Sequence, residues 1–494
     1  MLETPGDFRP PATPLIKIEP LQSPPGPLLA TAPVPEGTAE FSTLNKMPKP
    51  TLQSLQATIV ELQTAVADIV KRLSALEPPA PPPPSPTYDN QNAISLFSGA
   101  GGDTLGIERA GYKVVAFNEF KDAAIKTHKA VFPDSVMLVD PTTGKTDIKK
   151  VPDQVFQQYK GKVRLIFAGF PCQGFSHAGK KNADDKRNEL VYEFARAAKL
   201  AEPEWIIGEN VKGLLARKGR DPSQPADAPL RPVIDIIRDL FERTGYKITY
   251  KVIDVTEVGV PQHRKRLIII GHKGTQYPHM PWDALTPSST PPQTSIRPFL
   301  ESHLKDAMEI PVLYRPAEQG AQYWIPTKET APTGTPHPNL ALLVSGTRNP
   351  SSKEKKANPN IAAKFVEKDG LISFGVRKGG YHGMVVNPDV ACNTIISTYN
   401  LCPRLFVGLH NPATNKYWIR CMTPKELGQI QGFPADYAWQ GTEKEQIIQI
   451  GNAVPPPLGE RIVKSLERVV FKSTPQAVDG ATDEAESEEE MGTD

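Results

Sequence analysis

Cysteine is scarce in this chain, whose 494 residues include only four, at positions 172, 392, 402 and 421. No two of them form a Cys-x-x-Cys pair, and none has a histidine partner at zinc-finger spacing. We therefore expect neither a disulfide framework nor a zinc site, and we predict that the protein binds no metal.

Long apolar runs are also lacking, since no stretch of 18 residues is continuously apolar and the chain starts with no signal-peptide pattern. These absences argue against a membrane-spanning or secreted protein. We expect a soluble, intracellular protein with no membrane partner, in the nucleus if the source is eukaryotic and otherwise in the cytoplasm.

The net charge is small, at +2, but it is unevenly distributed. Residues 1–91 carry six basic and nine acidic groups, and residues 479–494 carry eight acidic groups and no Lys or Arg. The remainder, residues 92–478, therefore has a formal charge of +13. A basic body is typical of proteins that contact nucleic-acid phosphates, although ordinary surface solubility would give the same balance.

The first 91 residues differ in composition from the rest of the chain. Residues 1–50 are rich in Pro, Ala and Thr and are predicted to be disordered. Residues 51–77 contain a heptad seam, whose a and d positions are Leu52, Leu55, Ile59, Leu62, Val66, Ile69, Leu73 and Leu76. The seam predicts a coiled coil that forms a homodimer through residues 52–76, and the alternative is one amphipathic helix that docks onto the body. A Pro-rich linker, residues 78–91, follows.

The most informative segment is the turn at Pro171-Cys172. An apolar strand, residues 163–168, runs into a Gly/Pro turn that presents one thiol. Loops that follow strands are where open α/β sheets carry their chemistry, so the cysteine is a candidate nucleophile. The alternative is a small buried hydrophobic residue.

A glycine-rich turn lies upstream, where an apolar strand leads into Phe97-Ser-Gly-Ala-Gly-Gly102. A second strand, residues 114–118, ends at Glu119, where a carboxylate would accept hydrogen bonds from the ribose of an adenosine-containing cofactor. The Gly-x-Gly-Gly pattern is not the Gly-x-Gly-x-x-Gly that holds a pyrophosphate, so S-adenosylmethionine is favoured over NAD. Taken alone, the segment is equally compatible with a plain tight turn.

Further polar motifs follow in a fixed order: Trp205-Ile-Ile-Gly-Glu-Asn-Val211, Pro261-Gln-His-Arg-Lys-Arg266, Thr423-Pro-Lys-Glu426, Gln431-Gly-Phe-Pro434 and Gln449-Ile-Gly-Asn-Ala-Val-Pro-Pro456. Together with the two turns, they resemble the DNA cytosine-5 methyltransferase family over residues 92–472.

The resemblance implies an α/β fold, with a Rossmann-like S-adenosylmethionine-dependent methyltransferase domain and a smaller, loop-rich target-recognition domain. The catalytic domain would comprise residues 92–272 and 421–473, and the target-recognition domain residues 273–420. Thr394-Ile395 resembles a dipeptide that precedes base-reading loops in the family. An acidic, disordered tail, residues 474–494, would complete the chain. The implied partner is double-stranded DNA, from which a nucleotide must be flipped out.

The resemblance also assigns catalytic roles, to Cys172, Gln173, Glu209, Asn210, Arg264 and Arg266. Cys172 would add to carbon 6 of cytosine, with Gln173 beside it, and Glu209 would interact with ring nitrogen 3. Asn210 would hold the loop, and the two arginines would grip the cytosine carbonyl and the catalytic loop. The alternatives are a helix cap for the Glu-Asn pair and a phosphate-binding face for the arginines.

The cofactor residues implied by the resemblance are Phe97, Ser98, Gly99, Gly101, Glu119, Asp147, Ile148, Pro171, Asn452 and Ala453. Asp147-Ile148 would hold the adenine, and a helix N-cap at Asp147 is the alternative. Asn452 and Ala453 would close the methionine pocket. One departure from the family pattern is Phe170, which stands where a proline is usual and is expected to add bulk near the pocket.

Two other functions stay open from the sequence. One is a tRNA cytosine-5 methyltransferase, although the Cys-Phe-Thr signature of that branch is missing. The other is a silent family member that binds DNA as a regulator, against which the retained catalytic residues argue.

Overall fold

The computed structural model describes residues 61–66, 91–171, 190–221, 224–225, 227–285, 295–310, 322–338, 340, 365–368, 371–375 and 382–476. The chain divides into two units, Met1–Pro83 and Pro84–Asp494. In the first unit residues 61–66 form a helix, in which the side chains of Leu62 and Val66 are 61% and 57% exposed. The predicted disorder of residues 1–50, most of the coiled coil and most of the linker lie outside the described residues.

The second unit contains both helices and strands. Its helices are α1 Gly102–Arg109, α2 Asp122–Val131, α3 Asp153–Gln157, α4 Leu190–Ala201, α5 Val233–Arg243, α6 Pro424–Ile430, α7 Glu443–Asn452 and α8 Pro456–Ser465. Its strands are β1 Asn92–Leu96, β2 Lys113–Asn118, β3 Val136–Met137, β4 Leu165–Ala168, β5 Trp205–Val211, β6 Lys218–Gly219, β7 Arg231–Pro232, β8 Tyr246–Asp254, β9 Gln262–His263, β10 Lys265–Lys273, β11 Tyr277–His279, β12 Met308–Glu309, β13 Ile325–Pro326, β14 Phe365–Lys368, β15 Leu371–Gly375, β16 His382–Val385, β17 Cys392–Asn393, β18 Leu405–Asn411, β19 Lys416–Cys421 and β20 Val470–Lys472.

The larger core is built on a seven-stranded sheet with the order β3-β2-β1-β4-β5-β10-β8. Its first five strands are parallel, whereas β10 runs antiparallel to both β5 and β8. The central strands are buried on both faces, and every residue of β4 is buried. Continuous apolar strands of this kind are typical of parallel sheets covered by helices. The predicted α/β fold of the Rossmann type is therefore confirmed.

Helices cover both faces of this sheet. On one face, α4 and α5 contribute Phe194 and Phe241 to a core with Ile94 and Ile166 of the strands. On the other face, α1 and α8 contribute Ile107, Leu458 and Ile462 to a second core with strand residues such as Phe167. The helix α8, near the end of the described chain, thus packs beside the first helix of the unit.

A second seven-stranded sheet has the order β12-β19-β18-β16-β15-β14, with β13 paired to β18. Its core includes Leu405 and Trp418, together with Leu427 and Ile430 of α6 and Ile450 of α7. The helices α6 and α7 belong to residues 421–473, which are predicted to be part of the catalytic domain, and they contribute to this core. Each of these two helices begins with a threonine capping box. The division into catalytic and target-recognition domains stays a prediction.

The ordered body extends slightly further toward the C-terminus than expected. We predicted a disordered tail from residue 474, but residues 474–476 pack beside β11. The Gln476 amide accepts a hydrogen bond from the Met280 backbone N–H at 3.0 Å and donates one to the Met280 carbonyl at 3.1 Å. These paired bonds hold the segment against the body. The rest of the acidic tail lies outside the described residues.

The strand order places a topological switch point between β1 and β4. From β1 the chain proceeds outward through β2 and β3, and from β4 it proceeds the other way through β5. Ligands of open α/β sheets bind at the carboxyl ends of the strands at such a point. The glycine-rich turn follows β1 there, and the Pro-Cys turn follows β4. Among the described residues no helix has the length and apolar character needed to span a membrane.

Candidate active site

The turn after β1 has an unusual backbone conformation. Phe97, Gly99 and Gly101 all have positive φ angles, of 56°, 54° and 87°. A positive φ is uncommon for phenylalanine, so the surrounding structure must hold this strained turn. Two bonds do so, from the Ser98 N–H to the Asn118 carbonyl at 3.1 Å and from the Gly101 N–H to the Ser98 carbonyl at 2.8 Å.

The glycines of this turn differ in their surroundings. A Cβ atom at Gly99 would meet nothing within 4 Å, so this side of the turn is open. A Cβ atom at Gly101 would lie 2.5 Å from the Phe132 ring, and one at Gly102 would lie 2.2 Å from the Val454 carbonyl oxygen. Close packing therefore explains the last two glycines. The open side of Gly99 leaves room for a ligand to approach the backbone.

Glu119, at the carboxyl end of β2, faces the glycine-rich turn. One carboxylate oxygen accepts a hydrogen bond from the Gly99 N–H at 2.9 Å. The other accepts from the backbone N–H groups of Phe120 and Lys121 at 2.7 and 2.8 Å. The carboxylate is thus fixed beside the open glycine, in the region where a ribose was predicted to bind.

Phe120 was missed by the sequence analysis. Its side chain is 65% exposed, although it directly follows the fixed Glu119. An exposed aromatic ring beside a polar anchor is suited to contact the flat base of a nucleoside. An aromatic residue next to the strand-end carboxylate was the signal that could have identified it.

Asp147 and Ile148 occupy a separate turn. The Asp147 carboxylate accepts a hydrogen bond from the Lys149 N–H at 3.1 Å and caps a short 3-10 helix, as the alternative reading of the sequence expected. Ile148 is buried in the core beside α4. The turn lies close to the cofactor strands, since the Asn118 amide, at the end of β2, donates to the Thr146 carbonyl at 3.0 Å.

The turn after β4 is held by Asn210. The Asn210 side-chain amide donates to the Phe170 carbonyl at 3.1 Å, and its oxygen accepts from the Val211 N–H at 2.8 Å. Pro171 is half-buried and follows directly. Cys172 and Gln173 lie outside the described residues. The backbone from which Cys172 continues is therefore anchored to the end of β5.

Phe170 does not add bulk to the pocket as expected. Its side chain is 4% exposed and packs in the core, with its ring centroid 6.3 Å from that of Phe194. Space for the ring exists because Gly208 has no side chain, and a Cβ atom there would lie 3.1 Å from the ring. Phe170, which departs from the family pattern, is therefore accommodated in the hydrophobic core.

Glu209 and Arg266 form the charged center of the site. The Arg266 Nε atom lies 2.9 Å from a Glu209 carboxylate oxygen, and both side chains are 12% exposed. In the antiparallel pairing of β5 and β10, Glu209 lies opposite Ile268, so Arg266 is the diagonal neighbour on the same face. A Cβ atom at Gly169 would lie 3.9 Å from the Glu209 carboxylate and 3.9 Å from the Phe97 carbonyl. The ends of β1, β4 and β5 thus converge.

Arg264 lies elsewhere, although we expected it to contact the base together with Arg266. Its side chain is 2% exposed and donates to the backbone carbonyls of Ile395 and Gly451, both at 2.9 Å, and of Ala453 at 3.2 Å. The guanidinium thus donates to three backbone carbonyls in the interior. In this structure Arg264 therefore supports the site, and Arg266 alone of the pair reaches Glu209.

The C-terminal motif closes the glycine-rich turn. Asn452 is exposed at the end of α7, and Ala453 is buried with Phe433 and Tyr437. The Tyr437 hydroxyl lies within hydrogen-bonding distance of the Ala100 carbonyl, at 2.5 Å. The cofactor turn is therefore braced by residues from the far end of the chain.

A buried glutamine pair was also missed. Gln262 and Gln431 are fully buried, and the Gln262 amide nitrogen lies 2.5 Å from the Gln431 amide oxygen. Gln262 also accepts from the Ile395 N–H at 2.9 Å, and Gln431 donates to the Ala453 carbonyl at 3.0 Å. The signal that could have identified the pair is that each glutamine lies in a family motif, Gln262 in the motif 261–266 and Gln431 in the motif 431–434.

A buried carboxyl group lies beneath the turn. Asp103, in the first turn of α1, is 2% exposed, and the Ser95 hydroxyl of β1 donates to it at 2.5 Å. Burial raises the pKa of Asp103 to about 7, which the Ser95 hydrogen bond only partly offsets. The polar Ser95 in an otherwise apolar strand was the only sequence signal for this pair.

The described cysteines make weak alternatives to Cys172 as a nucleophile. Burial raises the pKa of Cys392 and of Cys421 to about 12, which keeps both as thiols at neutral pH. Cys402 is half-buried in the loop before β18. Within the described ranges no cluster of three His, Cys, Asp or Glu side chains is arranged to hold a metal.

Comparison with known proteins identifies the family. A model described as C-5 cytosine-specific DNA methylase matches residues 91–468, most of the chain. The chain belongs to the C-5 cytosine-specific DNA methylase family. It is accordingly an enzyme, a DNA cytosine-5 methyltransferase, and S-adenosylmethionine is the methyl donor of its family.

Individual relatives agree with this membership in the C-5 cytosine-specific DNA methylases. The Type II methyltransferase M.PspPI of Psychrobacter is 31% identical over 398 residues, which cover 78% of this chain and 80% of the relative. The Type II methyltransferase M1.HphI of Haemophilus parahaemolyticus is 30% identical and covers 76% of this chain and 86% of its own. The solved structure of the Entamoeba histolytica methyltransferase EhMeth has a TM-score of 0.50 at 15% identity, covers 77% of this chain and 98% of its own, and so shares the fold.

Proposed function

We propose that this protein transfers a methyl group from S-adenosylmethionine to carbon 5 of a flipped-out cytosine in DNA, through a covalent adduct with Cys172. The observation that carries the proposal is the Glu209–Arg266 pair, at 2.9 Å, beside the anchored turn that leads into Cys172. An acid and a cation thus lie at the edge of the sheet where the chain leads into Cys172, and this chemistry requires an acid, a cation and a thiol.

The protein residues have separable roles in this reaction. The thiolate of Cys172 forms a bond to carbon 6 of the ring, which makes carbon 5 electron-rich. Glu209 donates a proton or hydrogen bond at ring nitrogen 3, where the electron pair moves. Arg266 orients Glu209 and donates to the cytosine carbonyl. Once carbon 5 has accepted the methyl group, water removes the carbon 5 proton, the bond between carbon 6 and sulfur breaks, and the Cys172 thiolate leaves as the proton at nitrogen 3 returns to Glu209.

The remaining site residues position these groups. Asn210 fixes the backbone before Cys172 through the Phe170 carbonyl. Gln173, the next residue after Cys172 in the sequence, is assigned to the same catalytic segment. Arg264 ties the site to residues 395, 451 and 453 through backbone carbonyls. We assign Arg264 a positioning role rather than contact with the base.

The open turn after β1 fits the methyl donor. S-adenosylmethionine supplies a methyl group on a positively charged sulfur when it is bound. Glu119, held beside the open Gly99, accepts hydrogen bonds from ribose hydroxyls, and Phe120 contacts the adenine. Phe97, Ser98 and the strained backbone shape the pocket. Asp147, Ile148, Pro171, Asn452 and Ala453 are the further residues that we assign to the methyl-donor site from the family motifs.

Duplex DNA is the proposed substrate, because residues 92–478 carry a charge of +13 and the two relatives above are named Type II methyltransferases. The target atom is stacked inside a duplex, so the nucleotide must swing out to reach the thiol. Thr394-Ile395 precedes the base-reading segment in this proposal. The enzyme would act in the nucleus of a eukaryotic cell and otherwise in the cytoplasm.

We further propose that residues 52–76 pair two copies of the chain. The heptad seam supports this, as do its Leu62 and Val66 side chains, which are 61% and 57% exposed in the single chain. Pairing would bring two catalytic bodies to one DNA molecule.

The central experiment is a trapping assay with duplex DNA that contains 5-fluorocytosine. Fluorine replaces the hydrogen at carbon 5, so the proton whose removal releases the enzyme is absent. A covalent protein–DNA adduct should therefore accumulate when S-adenosylmethionine is present. The Cys172→Ala variant should form none, and Glu209→Gln should form it at least about a hundredfold more slowly. A wild-type protein that is folded but forms no adduct would refute the mechanism, and methyl transfer to tRNA in place of duplex DNA would refute the substrate.

A further inference from the structure

A short basic segment, residues 212–232, follows the strand that carries Glu209, and we call the whole segment the β6–β7 hairpin. The chain leaves β5 through a 3-10 helix, Lys212–Leu214, and forms β6, which pairs with β7. Residues 212–232 contain five basic and two acidic side chains. None of the roles assigned above uses this segment.

The hairpin is firmly attached to the catalytic body. Leu214 is fully buried and packs in the same core as α4 and α5. The Val233 N–H, at the start of α5, donates to the Arg217 carbonyl at 2.9 Å. Since both ends of the hairpin are fixed, its exposed side chains have a defined position.

The hairpin lies at the edge of the sheet where the chemistry takes place. Lys212 is three residues beyond Glu209, which limits the separation of their Cα atoms to about 11 Å. The helix α5 begins at Val233, directly after β7, and the helix α4 begins at Leu190 at the same edge. A duplex that places a base against Glu209 would therefore pass close to Lys212.

The hairpin presents positive charge to solvent. The side chains of Lys212, Lys218 and Arg220 are exposed. Arg231, one of the five basic side chains, pairs with Asp239 of α5 at 2.8 Å, and Asp235 of α5 pairs with Arg238 at 2.9 Å.

The two acidic residues of the hairpin do not neutralise its positive charge. Asp221 is paired with Arg243 at 3.1 Å, so that only Asp227 remains as an exposed acid of the segment. Within the described part of the chain neither Lys212 nor Lys218 has an ion-pair partner.

We propose that the β6–β7 hairpin is a DNA-backbone contact of the catalytic body, with Lys212 and Lys218 lying against phosphates near the flipped nucleotide. This inference rests on the proposed function, because duplex DNA is its partner. Flexible lysines on a rigid support suit phosphates, which position the protein without reading sequence. The neighbouring Leu230, which is 48% exposed, supplies apolar contact with the sugars.

The test is the salt dependence of DNA binding by Lys212→Gln/Lys218→Gln, measured by fluorescence anisotropy on two unrelated duplexes. Each lost phosphate contact lowers the slope of log K against log salt by about 0.9, so the double variant should lower it by about 1.8. Affinity at low salt should fall roughly tenfold or more, and equally for both duplexes. The matched control is Lys162→Gln/Lys199→Gln, which removes two exposed lysines at the opposite edge of the sheet.

The outcomes separate this inference from the proposed function. A slope unchanged from wild type, or changed equally by the control pair, would overturn the inference even if adduct formation proceeds. A double variant that lowers the slope for tRNA but not for duplex DNA would assign the surface to RNA, and this result would also overturn the inference. Because the assay measures binding alone, a protein that failed the trapping assay would still give a reduced slope if the hairpin contacts DNA.

Discussion

The carboxyl group of Asp103 is buried in the first turn of α1, directly after the glycine-rich turn. Its carboxyl bonds to Ser95 across that turn, so the end of β1 and the start of α1 are linked by one polar contact. Burial favours the neutral acid, which explains why the pKa is raised to about 7. Near neutral pH the protein therefore carries this group in both protonation states.

The Asp103→Asn variant should be stabilized relative to wild type at high pH. The pKa of Asp103 is about 7 in the folded state, and the ordinary pKa of aspartate is 3.8, so between these pH values the folded protein binds a proton that the unfolded chain has released. Wild-type stability therefore falls as pH rises from about 4 to about 7, by up to about 4 kcal/mol, and asparagine removes this dependence. Chemical denaturation at several pH values measures the difference.

The control for this prediction is Asp134→Asn, which alters an exposed carboxylate on the same body. An Asp103→Asn difference that stays constant between pH 5 and 8 would contradict the argument. Asparagine keeps the acceptor for the Ser95 hydroxyl, so loss of the hydrogen bond should not mask the result.

Among the elements, the strands that carry chemistry could be identified from the sequence, because each combines a short apolar run with polar residues at its end. β4 and β5 illustrate this, with the Pro-Cys turn after one and Glu209 at the end of the other. The packing of α6 and α7 against the second sheet could not, since the first sheet also offers an apolar surface to helices. Only long-range packing decides between two such partners.

The heptad seam makes a prediction at this scale. Leu62→Lys/Val66→Lys should convert a dimer into a monomer, because two charges would have to be buried in the paired seam. Multi-angle light scattering should show the molar mass falling by half. Glu61→Lys, which lies off the seam on the same helix, should leave the mass unchanged. A wild-type chain that is already monomeric would refute pairing.

At the scale of the whole molecule, Arg264 and Arg266, which belong to one motif, have different contacts. Arg264 is 2% exposed and joins residues 395, 451 and 453, whereas Arg266 faces Glu209. The motif spacing alone gives both the same role. Their separation depends on segments more than a hundred residues away, which a local pattern cannot reveal.

Substitution should therefore separate stability from activity. Arg264→Gln should lower the free energy of unfolding by roughly 3 kcal/mol or more, because buried carbonyls lose charged donors. Arg266→Gln should change stability by less and reduce methyl transfer by the folded protein at least about a hundredfold. Thermal unfolding and initial rates measure the two effects. Equal losses of stability in both variants would contradict this division.

The brace between Tyr437 and Ala100 joins residues that are 337 positions apart. During translation, the glycine-rich turn leaves the ribosome long before the helices that must cover it. Early segments would then wait with apolar surface uncovered, a condition that invites aggregation. The native state should consequently form only after the residues that cover the turn have been synthesised, and products terminated before Tyr437 should depend on chaperones.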